Sequence, residues 1–168
     1  MAVVLDGTTG VSLVQDGAIT DANLPAGSVI QVVQSDTSTP YSNTGASYSH
    51  TNLTGSITPS STSSKILVLV DSVGRMYRNA GAGSTVSILL YKDGSAISDT
   101  ERRYNGYDNG DAWYDAFLVG IKYLDSPSTT SSVEYKLYAK NTAATFNPEV
   151  QFQQDSHKST ITLMEIAG

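Results

Sequence analysis

Lys158-Ser-Thr-Ile-Thr-Leu-Met-Glu-Ile-Ala-Gly168 sets Ile161, Leu163 and Glu165 on one face of an extended chain and Thr160, Thr162, Met164 and Ile166 on the other. The period is two, that of a β-strand. A terminal strand frays unless neighbours hold it, so this one is expected inside a sheet. Its counterpart in pattern is Ser64-Lys-Ile-Leu-Val-Leu-Val70, β-branched and apolar, long enough for a central strand and too short for a typical helix. Two such strands far apart in the chain point to a β-sandwich whose terminal strand completes the core.

Working back from that strand, extended segments are expected at about 28–34, 46–53, 65–76, 85–91, 96–104, 112–123, 133–139 and 146–153. Asp93-Gly94 between β-prone runs signals a hairpin, because glycine enters the positive-φ turn without steric cost. Ser35 to Gly45 reads as a loop, and Leu124 to Ser132 as a polar crossing from one sheet to the other. No amphipathic helix and no repeat of solenoid or propeller length is visible. The fold class is therefore all-β, a two-sheet antiparallel β-sandwich of jelly-roll type (residues 24–168) with an extended N-terminal arm (residues 1–23). An immunoglobulin-type Greek key is the alternative, ranked second because its usual Cys and Trp core pair is missing. The arm alternates short apolar pieces, Val3-Val4-Leu5 and Val11-Ser-Leu13-Val14, with Asp-Gly turns, and is too short for a core of its own.

At 168 residues the chain is about one domain in size. It has no cysteine, which removes disulfide frameworks and thiolate metal sites. A net charge of −6 argues against a phosphate-binding surface, so nucleic acid is not expected as a partner. Charged residues make up only 15%, below the usual level of about 25%, and Ser, Thr, Gly, Asn and Gln fill the difference. No run of apolar residues is long enough to cross a membrane, and Met1-Ala-Val-Val-Leu-Asp6 lacks the features of a secretory signal. Neither a membrane nor an export route of the chain's own is expected.

Raw material for catalysis is sparse. His50 and His157 lie in polar contexts that read as exposed strand ends or turns, and no serine stands in a Gly-x-Ser-x-Gly elbow. Asp108, Asp111 and Asp115 could supply the oxygen ligands Ca²⁺ prefers, but their spacing is not that of an EF-hand, and a solvated turn is the favoured reading. Gly81-Ala-Gly83 reads as a turn, with no basic residue or helix after it to cradle a phosphate. No catalytic residue, cofactor or metal is assigned. The binding candidates are Tyr104, Tyr107, Trp113 and Tyr114, accompanied by Arg102, Arg103 and Asn105. Tyr and Trp offer a flat apolar face with a polar handle, suited to sugar rings and to protein interfaces. Trp113 is weighted toward the core, beside Phe117, whereas Tyr104 and Tyr107 are weighted toward an exposed or subunit-interface position.

Leu5-Asp-Gly-Thr-Thr-Gly-Val11, Leu24-Pro-Ala-Gly-Ser-Val-Ile-Gln-Val-Val33, Ile57-Thr-Pro-Ser-Ser-Thr-Ser-Ser-Lys-Ile-Leu-Val68 and Ser159-Thr-Ile-Thr-Leu-Met-Glu-Ile166 together resemble virion structural proteins of tailed bacteriophages. The resemblance implies a homotrimeric jelly-roll module on the particle exterior, as head decoration or cement protein or as tail-fibre tip. It implies the major capsid protein or tail proteins as partners, with a host surface glycan as a further partner for a tip. It places the chain in the virion, assembled in the host cytoplasm. Val3, Val4, Leu5, Val11, Leu13 and Val14 would then belong to an anchoring arm. With no shaft of coiled coil or repeated strands, the chain is more like a decoration protein than a fibre. A small carbohydrate-active enzyme is the least favoured reading, for want of a convincing acid pair.

Overall fold

The computed structural model describes residues 24–78, 83–107, 113–142 and 148–168, with the backbone alone for Arg78, Gly83, Ser84, Tyr107 and Trp113. The strands are β1 (Val29–Thr37), β2 (Tyr41–Asn43), β3 (Ser49–Ile57), β4 (Lys65–Arg78), β5 (Gly83–Lys92), β6 (Ser95–Tyr107), β7 (Trp113–Asp125), β8 (Val133–Asn141), β9 (Glu149–Phe152) and β10 (Ser159–Ile166). A 3₁₀ turn, Gln154–Ser156, accompanies them among the described residues.

All the pairings are antiparallel. In the first sheet β4 lies between β10 and β7, and β1 flanks β10. The short β2 and β9 pair with each other, and β9 also pairs with the far end of β4. They therefore prolong the lines of β1 and β10. The second sheet runs β3-β8-β5-β6. If β1 with β2 is taken as strand one and β9 with β10 as strand eight, the sheets read 1-8-3-6 and 2-7-4-5. That is the two-Greek-key order of a jelly roll.

β10 sits where its alternation places it, between β1 and β4, with Ile161 and Leu163 fully buried. Opposite them in the second sheet, Gly55 lies so close that a Cβ there would stand 2.9 Å from Ile161 Cγ2. From β4 the core takes Ile66, Val68, Val70 and Met76, and from the facing sheet Ile88, Leu90, Tyr135 and Leu137. The expected hairpin closes through Asp93 (φ 47°) and Gly94 (φ 80°). The crossing from β7 to β8 carries the chain between sheets, as its polar composition suggested.

The segment expected to be a loop at 35–45 instead holds the end of β1 and all of β2. Three residues are too few for periodicity to register. β10 and β9 are separated by residues 153–158, in which Gln153, Asp155 and Ser156 have φ of 53°, 55° and 64°. Gln153 is buried there. With its amide oxygen accepting from Ser159 Oγ (2.6 Å), its nitrogen reaches the carbonyls of Thr39 (3.2 Å) and Thr51 (3.3 Å). One side chain thereby stitches together the breaks in both interrupted strands. The arm residues Val3, Val4, Leu5, Val11, Leu13 and Val14 lie outside the described residues, as do Gly81, Asp108 and Asp111.

Candidate functional site

Of the four aromatic residues singled out by sequence, the two with described side chains, Tyr104 and Tyr114, lie apart, one between the sheets and one on the outward side of β7. Tyr104 stands opposite Val86 on β5 and shares its inward side. Its ring stacks on Phe117 of the other sheet at 4.4 Å between centroids, and its hydroxyl donates to the Leu118 carbonyl at 2.5 Å. Burial raises its phenol pKa. The expected exposed or interfacial Tyr104 is thus corrected to a tie between the sheets. Tyr114 is 63% exposed on the outward side of β7 and stacks on Tyr77 of β4 at 4.6 Å. Tyr107 and Trp113 are placed by backbone register alone, opposite Gly83 and Arg78. Asp115 is exposed.

The aromatic grouping that does form lies on the outward face of the second sheet, from residues far apart in sequence. Tyr91 of β5 and Tyr138 of β8 stack at 4.0 Å, Tyr48 meets Tyr91 edge-on at 6.2 Å, and His50 lies 5.6 Å from Tyr138. Lys140 Nζ stands 4.3 Å over the Tyr48 ring. The Tyr48 hydroxyl donates to Glu101 Oε1 at 2.9 Å, and Arg103 Nε donates to the same oxygen at 3.2 Å. Burial, together with the adjoining carboxylate, pushes the Tyr48 phenol up to about 12. The Arg103 and Tyr48 hydrogen bonds hold Glu101 below the ordinary carboxylate value. Beneath this row Ser87 and Leu89, on the outward phase of β5, are buried. The row therefore roofs a small second core. It also offers ring edges, neutral phenols and flanking charges to a partner. Sequence reading misses it because cross-strand neighbours cannot be seen before the register is known. The one local signal is Tyr138 between Lys136 and Lys140 on the polar phase of β8.

The first sheet's outward face has the opposite character. Val29, Val32, Tyr114, Leu118 and Leu124 are each more than half exposed, and all lie on it. Register lines up Val32, Met164, Leu67 and Leu124 as one apolar row across all four strand lines.

Ionisable groups inside the molecule are paired. Asp125 Oδ2 accepts from the buried Tyr135 hydroxyl (2.6 Å) and faces Lys92 Nζ (2.7 Å). Burial, with this carboxylate beside it, raises the Tyr135 phenol strongly. Glu165, fully buried, takes hydrogen bonds from Ser60 N and Oγ (both 2.7 Å) on one oxygen and from Gln31 Nε2 (2.6 Å) on the other. His50 Nε2 lies 3.0 Å from Thr54 Oγ1, and exposed His157 bonds to the Gln154 carbonyl. Among the described residues no group of three or more His, Asp or Glu could hold a metal ion, and no helix is long and apolar enough to cross a membrane.

No protein-family model matches the sequence, and no curated protein does. Similar solved chains include one from the T13 infectious bursal disease virus particle, at 10% identity and a TM-score of 0.38, covering 82% of this chain and 35% of that one. Another is VP2 of the same virus in derived T=1 particles, at 12% and 0.39, covering 84% and 37%. A third is dimeric latent PorU from Porphyromonas gingivalis, at 14% and 0.35, covering 85% and 14%. This chain spans little more than a third of the viral chains and about a seventh of PorU. At scores this low the likenesses carry no weight for activity, and the fold rests on the chain's own strand order.

Proposed function

We propose that the chain is a non-enzymatic structural protein of a bacteriophage virion, a homotrimeric decoration or cement protein on the outside of the capsid. The observation that carries this reading is the gathering of large exposed hydrophobics on one sheet face of a jelly roll, beside the point where residues 1–23 join it. Contiguous apolar surface of this kind marks a contact surface for other protein. The sequence resemblance to tailed-phage virion proteins supports the virion as its setting, reached by assembly in the host cytoplasm. Residues 1–23 and the adjoining sheet face make up the attachment side, which bridges neighbouring copies of the major capsid protein, and the second sheet faces solvent. Capsids assembled with and without the chain test the role. Those lacking it are expected to open at lower temperature, and equal stability to heat and to chelators would remove the cement function.

A second reading, a tail-fibre or receptor-binding tip contacting host glycans, is favoured by the row Tyr48, Tyr91 and Tyr138 on the solvent-facing sheet. Tyr107 and Trp113, binding candidates from the sequence, belong to the same reading. Host adsorption by particles carrying Tyr91→Ala, or Tyr107→Ala with Trp113→Ala, separates the readings: a tip loses adsorption, and a cement protein does not.

A further inference from the structure

We propose that Lys92 and Asp125 condense to an amide, a covalent tie between the two sheets that the folded chain forms by itself. Alternation carries both residues inward. On β5 the buried positions Val86, Ile88 and Leu90 are followed in phase by Lys92, and on β7 the inward series Val119, Ile121 and Tyr123 ends at Asp125. Lysine and aspartate are rare at such positions unless each meets a partner. Here each sheet sends one charged side chain to the end of the core, where Lys92 Nζ and Asp125 Oδ2 stand 2.7 Å apart.

This pair differs from the other contacts of lysine with carboxylate among the described residues. Lys136 with Glu134 joins two residues of β8, Lys158 with Asp36 stays within the first sheet, and those carboxylates are 40% and 49% exposed. The Asp125 side chain is 9% exposed. Its Oδ2 also accepts from the hydroxyl of fully buried Tyr135 (2.6 Å), which stands opposite Lys92 in the register of β5 and β8. Burial and the adjoining carboxylate raise that phenol strongly, so it stays protonated and remains a donor to the same oxygen.

The reaction needs no reagent from outside. A proton passing from Nζ to the carboxylate leaves a neutral amine, whose lone pair attacks Cγ. In the tetrahedral intermediate the bond from Cγ to Oδ2 breaks, Nζ gives up a second proton, and Oδ2 leaves with both as water. The Tyr135 hydroxyl, hydrogen-bonded to Oδ2, eases that departure. Holding amine and carboxyl in contact supplies the proximity, worth effective molarities of about 10⁵ M or more in well-oriented pairs. A groove of about 530 Å³, lined by Lys92, Tyr123 and Asp125 among others, lets the water out.

This tie does not depend on the chain being a virion component. Its test is the mass of the intact full chain, purified and kept folded for days at neutral pH. The parent is expected to weigh less than its sequence requires by one water, and digestion is expected to release a branched fragment joining Lys92 to Asp125. Lys92→Arg keeps a cation beside Asp125 and should retain the full mass, with its fold checked by thermal melting. Tyr135→Phe should form the bond about a hundredfold more slowly, the low end of what a placed proton donor contributes. A folded parent at its full sequence mass would overturn the proposal. The same loss of water from Lys92→Arg would also overturn it, by placing the condensation elsewhere, and an equal rate for Tyr135→Phe would overturn the part given to the phenol.

Discussion

Gly74 on β4 and Phe117 on β7 stand directly opposite one another, and the Phe117 ring fills the space that any side chain at position 74 would need. The ring is held there from two other directions, stacked on Tyr104 at 4.4 Å and meeting Phe152 edge-on at 6.0 Å. A glycine inside a strand costs conformational entropy, and here the absence of a side chain is what lets three aromatic rings meet between the sheets.

Gly74→Ala should therefore destabilise the sandwich by about 2 kcal/mol, since overpacking of a filled core forces side chains off their rotamers. Adding Phe117→Leu should recover part of that loss by vacating the overlap. Urea denaturation of the two variants checks both expectations. An unchanged midpoint for Gly74→Ala would mean that the ring does not sit where it is described.

Glu165 supplies an acid-sensitive clamp. Burial alone would raise its carboxyl, but hydrogen bonds from Gln31 and Ser60 outweigh burial and hold it below the ordinary value of 4.5. A lowered folded-state value stabilises the protein fully above the unfolded value, and that contribution disappears as pH falls through the folded one. Parent protein should thus lose stability below about pH 4.5 through this site. Glu165→Gln, which sets an amide donor against the Ser60 donors, should be less stable by about 1–3 kcal/mol at neutral pH. Its deficit should shrink as the medium is acidified. Denaturation midpoints from pH 7 to 3 would expose a constant difference, the outcome that contradicts the clamp.

The stacked pair Tyr91 and Tyr138 should be energetically coupled. Each replacement by Ala uncovers Leu89, and a double-mutant cycle is expected to return an interaction of about 0.5–1.5 kcal/mol, the range for aromatic pairs. Strict additivity would show that the rings are only neighbours.

Which of these features could be read in advance depends on the range of the interactions that create them. Alternation along one strand placed Ile161, Leu163 and Glu165 inward and located β10, because a two-residue period is a local property. The same rule placed Glu165 without revealing its partners, since Ser60 and Gln31 come from other segments. Asp93-Gly94 was legible because its turn chemistry is local too. Tyr104 and Tyr114, ten positions apart, were grouped by sequence distance, yet β6 and β7 belong to different sheets, so one ring points into the core and the other away from it. The row Tyr48, Tyr91 and Tyr138 exists only through strand register. The gathering of hydrophobics on one sheet face needed the order β1-β10-β4-β7 before it could be seen.

The most direct test of the proposed role is an image of intact virus particles assembled with this chain, at a resolution that separates subunits. Density for the sandwich is expected on the outer surface of the head, in groups of three, with the β1-β10-β4-β7 sheet turned toward the capsid and the Tyr91 face toward solvent. Particles whose heads carry no such density, with the chain found only at the tail tip or not at all, would contradict it.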